Sequence, residues 1–180
     1  MKKRARFALY AIAAVVILSA SGLKNSYATD LTAEQADLVN ANCLSIKGSL
    51  NQLHASDALL RVNRGQIYES MGTKLMASFN NRLSNNSLDN KGLVAVTNSY
   101  QSALSTFRSD FQTYEQQLST AIKIDCTKDP STFHASLELA RTNRATVRQD
   151  IIRMNRYIDD YRSAVNDFML NFERVTGKNS

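Results

Sequence analysis

The chain has 180 residues and carries 22 lysines and arginines against 16 aspartates and glutamates. Five of the basic residues precede Ala28 and no acidic residue does, which leaves 17 basic against 16 acidic side chains in the rest of the chain. Because phosphate binding needs a surplus of lysine and arginine on a surface, this balance argues against a nucleic-acid partner. One proline and six glycines are too few for the turns of an all-β domain, so we expect an all-α protein.

The N-terminal segment has the organisation of a secretory signal peptide. Four basic residues lie within residues 2–6, and the following run 7–20 is apolar apart from Ser19. As a helix this run would rise about 21 Å, which is short for a hydrocarbon core of about 30 Å and typical of a signal peptide. Ser26-Tyr27-Ala28 places small residues on both sides of Tyr27, so we expect cleavage after Ala28.

Two alternatives stay open for this segment. Ala20-Ser21-Gly22 is a second cleavage candidate, and a hydrophobic stretch extended to Leu23 could stay as a membrane anchor. The basic residues remain cytoplasmic in either case, so the remainder crosses the membrane. We therefore expect an exported protein of the periplasm, the cell surface or the medium, whose membrane contact is confined to residues 1–28.

A first helix is expected over residues 32–84. Thr32 followed by Gln35 is a capping-box signature at its start. Mostly apolar residues then recur at alternating intervals of four and three, the repeat of a coiled-coil-like seam. This seam contains Val39, Cys43, Ile46, Leu50, Leu53, Asp57, Leu60, Arg64, Ile67 and Met71. Ser56 and Asp57 are also good capping residues, so a break within residues 54–58 stays open.

Two further helices are expected over residues 90–123 and 130–175. A polar turn precedes the first of them, and Asp129-Pro130 supplies a capping residue and a first-turn proline for the second. Both continue the seam pattern, which contains Leu93, Val96, Tyr100, Leu104, Phe107, Phe111, Tyr114, Leu118 and Ile122, and then Phe133, Leu137, Ala140, Arg144, Val147, Ile151, Met154, Ile158, Tyr161, Val165, Phe168, Phe172 and Val175.

The short connections predict the architecture. Helices joined by short turns become antiparallel neighbours. We therefore predict an elongated, antiparallel up-down-up three-helix bundle with coiled-coil-like seams, preceded by the N-terminal signal or anchor helix. Residues 29–177 would form one domain, with residues 178–180 as a tail.

The two cysteines are expected to form a disulfide. Cys43 lies 42 residues before the turn near Asn85, and Cys126 lies 41 residues after it, so the returning chain brings both to one level. Exported chains with an even number of cysteines commonly pair them. Two reduced thiols are the alternative, and the chain has no Cys-x-x-Cys that would favour a redox or metal pair.

Charged residues on the seams predict a polar layer in the core. Asp57, Arg64 and Arg144 occupy seam positions, and Asp110 lies at a similar height on the middle helix. A buried layer of this kind fixes register and topology, although it need not add stability. The alternative is that these side chains lean out to water, with each arginine burying only its stem.

The last helix is rich in arginine. Arg141, Arg144, Arg148, Arg153, Arg156 and Arg162 are interleaved with aspartates, which usually indicates a solvated face with weak ion pairs. A docking surface for an acidic partner is the alternative interpretation.

We find no residue pattern that indicates catalysis, a metal or a cofactor. His54 and His134 are the only histidines and lie on different helices, whereas a metal site needs three or four ligands. Gly-x-Ser-x-Gly and phosphate-loop motifs are missing. We expect a non-enzymatic protein without a cofactor or metal.

Leu31-Thr32-Ala33-Glu34-Gln35 resembles the Leu-Thr-x-x-Gln element of small helical periplasmic stress proteins of the Spy and CpxP type. That element recurs twice in the family and occurs once here. The resemblance implies an extracytoplasmic chaperone or stress-response function.

The main functional hypothesis is an envelope-associated or secreted helical protein with a structural or protein-interaction role. Its partner would be another protein or a cell-envelope component. The chaperone function is one alternative. The other is a membrane-anchored small-ligand sensor domain with a pocket near Asp57 and Arg144.

Overall fold

The computed structural model describes residues 31–177, which are almost entirely helical and contain no strand. The all-α prediction is confirmed. The predicted signal or anchor segment, the cleavage position at Ala28 and the tail 178–180 lie outside the described residues. Among the described helices, none combines the length and apolar character needed to cross a membrane.

Four consecutive helical segments make up what we call the first arm, residues 33–85. They are α1 (Ala33–Ala41), α2 (Cys43–Ser70), a π-helical segment (Met71–Ala77) and α3 (Ser78–Asn85). The capping box forms as predicted, because the Thr32 hydroxyl accepts from the Gln35 amide and the Gln35 side chain accepts from the Thr32 amide. The helix is unbroken through residues 54–58, and the irregularities lie instead at Asn42 and in the π-helical segment.

The π-helical segment lies where the first arm meets Tyr100. A Cβ on Gly72 would come within 3.2 Å of the Tyr100 ring, so the missing side chain permits this close approach. The Tyr100 hydroxyl donates to the carbonyl oxygen of Tyr68 at 2.8 Å, one turn before Gly72. Widened turns free carbonyl groups from the regular helix ladder, and a buried hydroxyl can satisfy them.

The second and third arms are single helices, α4 (Lys91–Lys123) and α5 (Pro130–Thr176). The Asp129 side chain accepts from the Thr132 amide at the start of α5, with Pro130 in the first turn. Gly177 follows the end of α5 with a φ of 68°, the left-handed conformation that favours glycine after a helix.

The core follows the seam of α4. Its buried positions are Leu93, Thr97, Tyr100, Ala103, Leu104, Phe107, Phe111, Tyr114, Leu118 and Ala121. Contacts of the first arm with α4 and the turn after it run in opposite sequence order, from Cys43 with Cys126 to Asn80 with Thr97. α5 packs along much of α4.

Several predicted seam residues are nevertheless exposed. Leu60 and Ile67 of the first arm each keep 51% of their surface in solvent. The physical reason is that α2 makes far fewer close backbone contacts with α4 than α5 does, so less of its seam is covered. Phe172 and Val175 near the end of α5 are also exposed.

Candidate functional site: two polar layers and an arginine-rimmed groove

Cys43 and Cys126 form a disulfide, as predicted. Their Cα atoms are 5.7 Å apart and both residues are buried. The bond joins the start of α2 to the turn before α5. It therefore fixes the relative level of the first arm and α4 at one end of the molecule.

A first polar layer contains one residue from each arm. Tyr114 of α4 donates its hydroxyl proton to Asp57 Oδ2 at 2.6 Å. Arg144 of α5 donates from Nε to Asp57 Oδ2 at 3.0 Å and from Nη2 to Oδ1 at 3.2 Å. Asp57 itself is only 7% exposed. Burial, and next the hydrogen bond to Asp57, raise the pKa of the Tyr114 hydroxyl, and the hydrogen bond to Asp57 raises the pKa of Arg144.

The predicted four-residue layer is only partly assembled. Asp57 and Arg144 meet, but Arg64 is exposed and makes no side-chain hydrogen bond within residues 31–177. Asp110 lies against Asp150 of α5 instead. Sequence reasoning also missed Tyr114, which was counted as an apolar seam residue. A buried tyrosine hydroxyl needs a hydrogen-bond partner, and that was the available signal.

Asp110 and Asp150 form a carboxyl pair between α4 and α5. Asp150 is 2% exposed, and its Oδ2 atom finds no hydrogen-bond partner in the described part of the chain. Arg153 Nη1 lies 3.5 Å from the other oxygen. Burial raises the pKa of Asp150, and the neighbouring Asp110 carboxyl raises it further. This pair lies outside the Asp57 layer and was not predicted.

A second polar layer, also unpredicted, again draws one residue from each arm. Asn80 donates to the Thr97 hydroxyl at 2.8 Å. The Tyr161 hydroxyl lies 2.8 Å from Asn80 Oδ1 and 3.1 Å from the carbonyl oxygen of Met76. All three side chains are buried, and burial raises the pKa of Tyr161. The layer fixes the register at the opposite end from the disulfide.

The path between the two layers is longer in the first arm than in the other two. Asp57 and Asn80 are 23 residues apart, whereas Tyr114 and Thr97 are 17 apart, as are Arg144 and Tyr161. Six extra residues correspond to about 9 Å of α-helical rise. The π-helical segment absorbs part of this surplus. Tyr68 is hydrogen-bonded to Tyr100, so most of the surplus lies between Tyr68 and Asn80. Before Tyr68, the backbones of α2 and α5 approach closely at few points.

A groove of about 670 Å³ opens in this gap, between α2 and α5. We call it the arginine-rimmed groove. Phe107, Phe111 and Tyr114 of α4 form its floor, and Leu60, Val147 and Ile151 contribute to its apolar walls. Its arginines are Arg61, Arg64, Arg141, Arg144 and Arg148. The position near Asp57 and Arg144 is that of the pocket expected for a ligand sensor.

Three of the five arginines have carboxylate partners. Arg144 bonds to Asp57, Arg61 to Glu115 at 3.0 Å, and Arg141 to Glu138. The Arg61 guanidinium also lies 5.5 Å from the Phe111 ring centroid, a cation–π arrangement. Arg64 and Arg148 have no carboxylate within 4.0 Å among residues 31–177. The groove therefore carries an excess of positive charge, although the basic and acidic side chains after Ala28 nearly balance.

The two histidines do not form a site with other ligands. His134 lies 3.8 Å from Glu138 on its own helix. In the described range, no group of three His, Cys, Asp or Glu side chains could hold a metal ion together.

Comparison of the chain with protein-family models, with curated proteins and with solved structures finds no match. The interpretation of its function therefore depends on the geometry described above.

Proposed function

We propose that this is an exported, non-enzymatic helical protein of the cell envelope or the extracellular medium, which acts by binding another protein or an envelope component. In this proposal residues 29–177 form one domain, an elongated up-down-up three-helix bundle with coiled-coil-like seams. Residues 1–28 serve for export or anchoring, and they provide the membrane contact.

The arginine-rimmed groove is the observation that carries the proposal. The Asp57 layer and the Asn80 layer tie all three arms at two levels. Between those levels α2 and α5 approach closely at few backbone positions, and the groove lies between them. A concave, mainly apolar surface with convergent polar groups is the usual form of a binding site.

The disulfide supports an extracytoplasmic location. Cys43 and Cys126 close a loop across 83 positions of sequence, and stable disulfides of this structural kind persist in oxidising compartments. This agrees with the signal peptide expected from the sequence.

The chemistry of the Asp57 layer supports a non-enzymatic role. A catalytic base needs a pKa near the working pH and a free site for the proton it abstracts. Asp57 accepts bonds from both Tyr114 and Arg144, and the pKa of Tyr114 is raised, away from neutrality. These three side chains bind one another and fix the register of the helices.

Site-specific photo-crosslinking tests the proposal. A photoreactive amino acid at Leu60, an exposed groove residue, should give one discrete adduct in the native envelope or culture fraction. The same amino acid at Leu170, exposed on α5 outside the groove, is the matched control. Equal labelling at both positions, or turnover of a substrate by the purified protein, would contradict the proposal.

A chaperone function is the second candidate, and exposed apolar side chains favour it. Leu44 is 86% exposed and Leu59 67%, and Val62 on the same helix is also exposed. Exposed apolar surface is what an unfolded client would bind. The chaperone function would replace the main proposal on two results together. The protein would suppress client aggregation, less so as the Leu44→Ser or Leu59→Ser variant, and Leu60 would give no crosslink.

The sensor alternative depends on the fate of the N-terminal segment. Mass spectrometry of the natively exported protein gives the N-terminus directly. An intact segment 1–28 would favour an anchored sensor that uses the same groove, whereas a terminus after Ala28 would exclude the anchor.

A further inference from the structure

We propose that the arginine-rimmed groove binds a small amphipathic organic anion. Its apolar body would lie on the aromatic floor, and its anionic group would bind Arg64 and Arg148. The inference rests on the proposed function, since it names the chemistry of the envelope component that would occupy the same groove.

The size of the groove fits a small molecule. Its volume of about 670 Å³ lies within the range of roughly 300–1,000 Å³ that is usual for small-ligand pockets. The two polar layers hold the flanking helices independently of any ligand. A pre-formed site of this kind loses little free energy to ordering when a ligand binds.

The floor favours an aromatic or aliphatic body. Phe107, Phe111 and Tyr114 follow one another along α4, with successive ring centroids 5.9 and 5.8 Å apart. The apolar walls continue this surface at Leu60 and Ile151. A purely hydrophilic anion such as inorganic phosphate would gain nothing from these contacts.

The rim favours an anion. Arg64 lies on the α2 wall and Arg148 on the α5 wall, and neither is balanced by a carboxylate among residues 31–177. Guanidinium groups bind carboxylate, sulfonate or phosphate oxygens through paired hydrogen bonds. A neutral apolar molecule would leave these arginines without a hydrogen-bond acceptor. The floor and the rim together therefore favour a molecule that has an apolar body and an anionic group.

The test uses two probes with the same aromatic skeleton. Anilinonaphthalene sulfonate carries one negative charge, and N-phenylnaphthylamine is its uncharged counterpart. Fluorescence titration of the oxidised protein should show one saturable site for the sulfonate, with tighter binding than for the neutral probe. The affinity for the sulfonate should fall as salt is added, because exposed arginines are screened.

Three variants separate the contributions. Replacing both free arginines, Arg64→Ala with Arg148→Ala, should weaken the sulfonate by about tenfold or more and the neutral probe by less than about twofold. Ala145→Trp, placed on the exposed groove wall, should abolish binding of both probes by filling the space. Arg156→Ala, exposed on α5 outside the groove, should change neither affinity. Equal far-ultraviolet circular dichroism checks that each variant is folded.

Unchanged sulfonate affinity in the double arginine variant would overturn the inference, and so would wild-type binding by the Ala145→Trp protein. Absence of any saturable sulfonate binding would overturn it as well. If the Leu60 crosslink persists in that case, the groove binds a macromolecule, and the proposed function stands without the small anion.

Discussion

The Asp57–Arg144 ion pair provides the sharpest test of how the three arms are held in register. The perturbation is Arg144→Met, which removes the charge and keeps an apolar side chain of similar length over the groove wall. The Asp57 carboxylate would then remain in a site where its side chain is only 10% exposed, with Tyr114 as its one remaining donor in the described chain. An uncompensated buried charge is strongly destabilising.

The magnitude follows from the exposure of the two partners. Removing one member of a buried pair costs about 3–5 kcal/mol, and a hydrogen bond to a charged group contributes about 1.5–3 kcal/mol. The Arg144 side chain is 53% exposed, so solvent screening reduces the first figure. We therefore expect Arg144→Met to lower the free energy of unfolding by about 2–3 kcal/mol.

The assay is urea denaturation of the oxidised protein, run as a double-mutant cycle with Asp57→Asn. The double variant should lose less than the sum of the two single losses by about 1 kcal/mol or more, because both remove the same interaction. Arg162→Met is the matched control, since Arg162 and Asp159 pair at 3.4 Å with side chains 75% and 67% exposed. If Arg144→Met costs no more than this control, the argument that the layer holds register is wrong.

Three further predictions concern the stability of the same fold. The pKa of Asp150 is raised above its ordinary value of 3.8. Between that value and the raised pKa the native state binds more protons than the unfolded state, so the free energy of unfolding falls as the pH rises through this range. Asp150→Asn should therefore raise the free energy of unfolding at neutral pH and remove this fall, which urea titrations from pH 3 to pH 8 would measure; a steeper pH dependence would contradict the reasoning. Reduction of the Cys43–Cys126 bond should lower stability by about 4–5 kcal/mol on the chain-entropy argument, checked by denaturation with and without reductant, and an unchanged midpoint would refute it. Gly65→Ala, with open space around its Cβ, should stabilise the helix by up to about 1 kcal/mol. Gly72→Ala should not be stabilising, because its Cβ would lie 3.2 Å from the Tyr100 ring. Equal thermal midpoints of the two variants would show that the close approach is unimportant.

Local signals in the sequence located much of the helical structure. The capping box at Thr32 and the Asp129-Pro130 start both form, because they depend on residues three or fewer positions apart. The disulfide was also predictable, since equal lengths of chain on either side of one turn bring Cys43 and Cys126 to the same level. The number of residues on either side of a turn can be counted in the sequence, and for helices that number sets the distance along the axis.

The partner of each polar side chain was decided only by tertiary structure. Periodicity indicates which face of a helix points inward, but not which residue lies opposite it on another arm. Asp57 and Arg144 therefore met as expected, while Asp110 met Asp150, and Arg64 faced solvent.

The position of the groove near Asp57 and Arg144 was expected for a ligand sensor, but its lining was not predictable from the sequence. The groove lies between α2 and α5, which approach closely at few backbone positions, and its lining depends on which residues pair across the core. The amino-acid sequence alone determined the helices, most of the inward face of α4 and the level of the cysteines. The spacing between arms, and with it the candidate binding surface, was decided by which side chains pair across the core at the two polar layers.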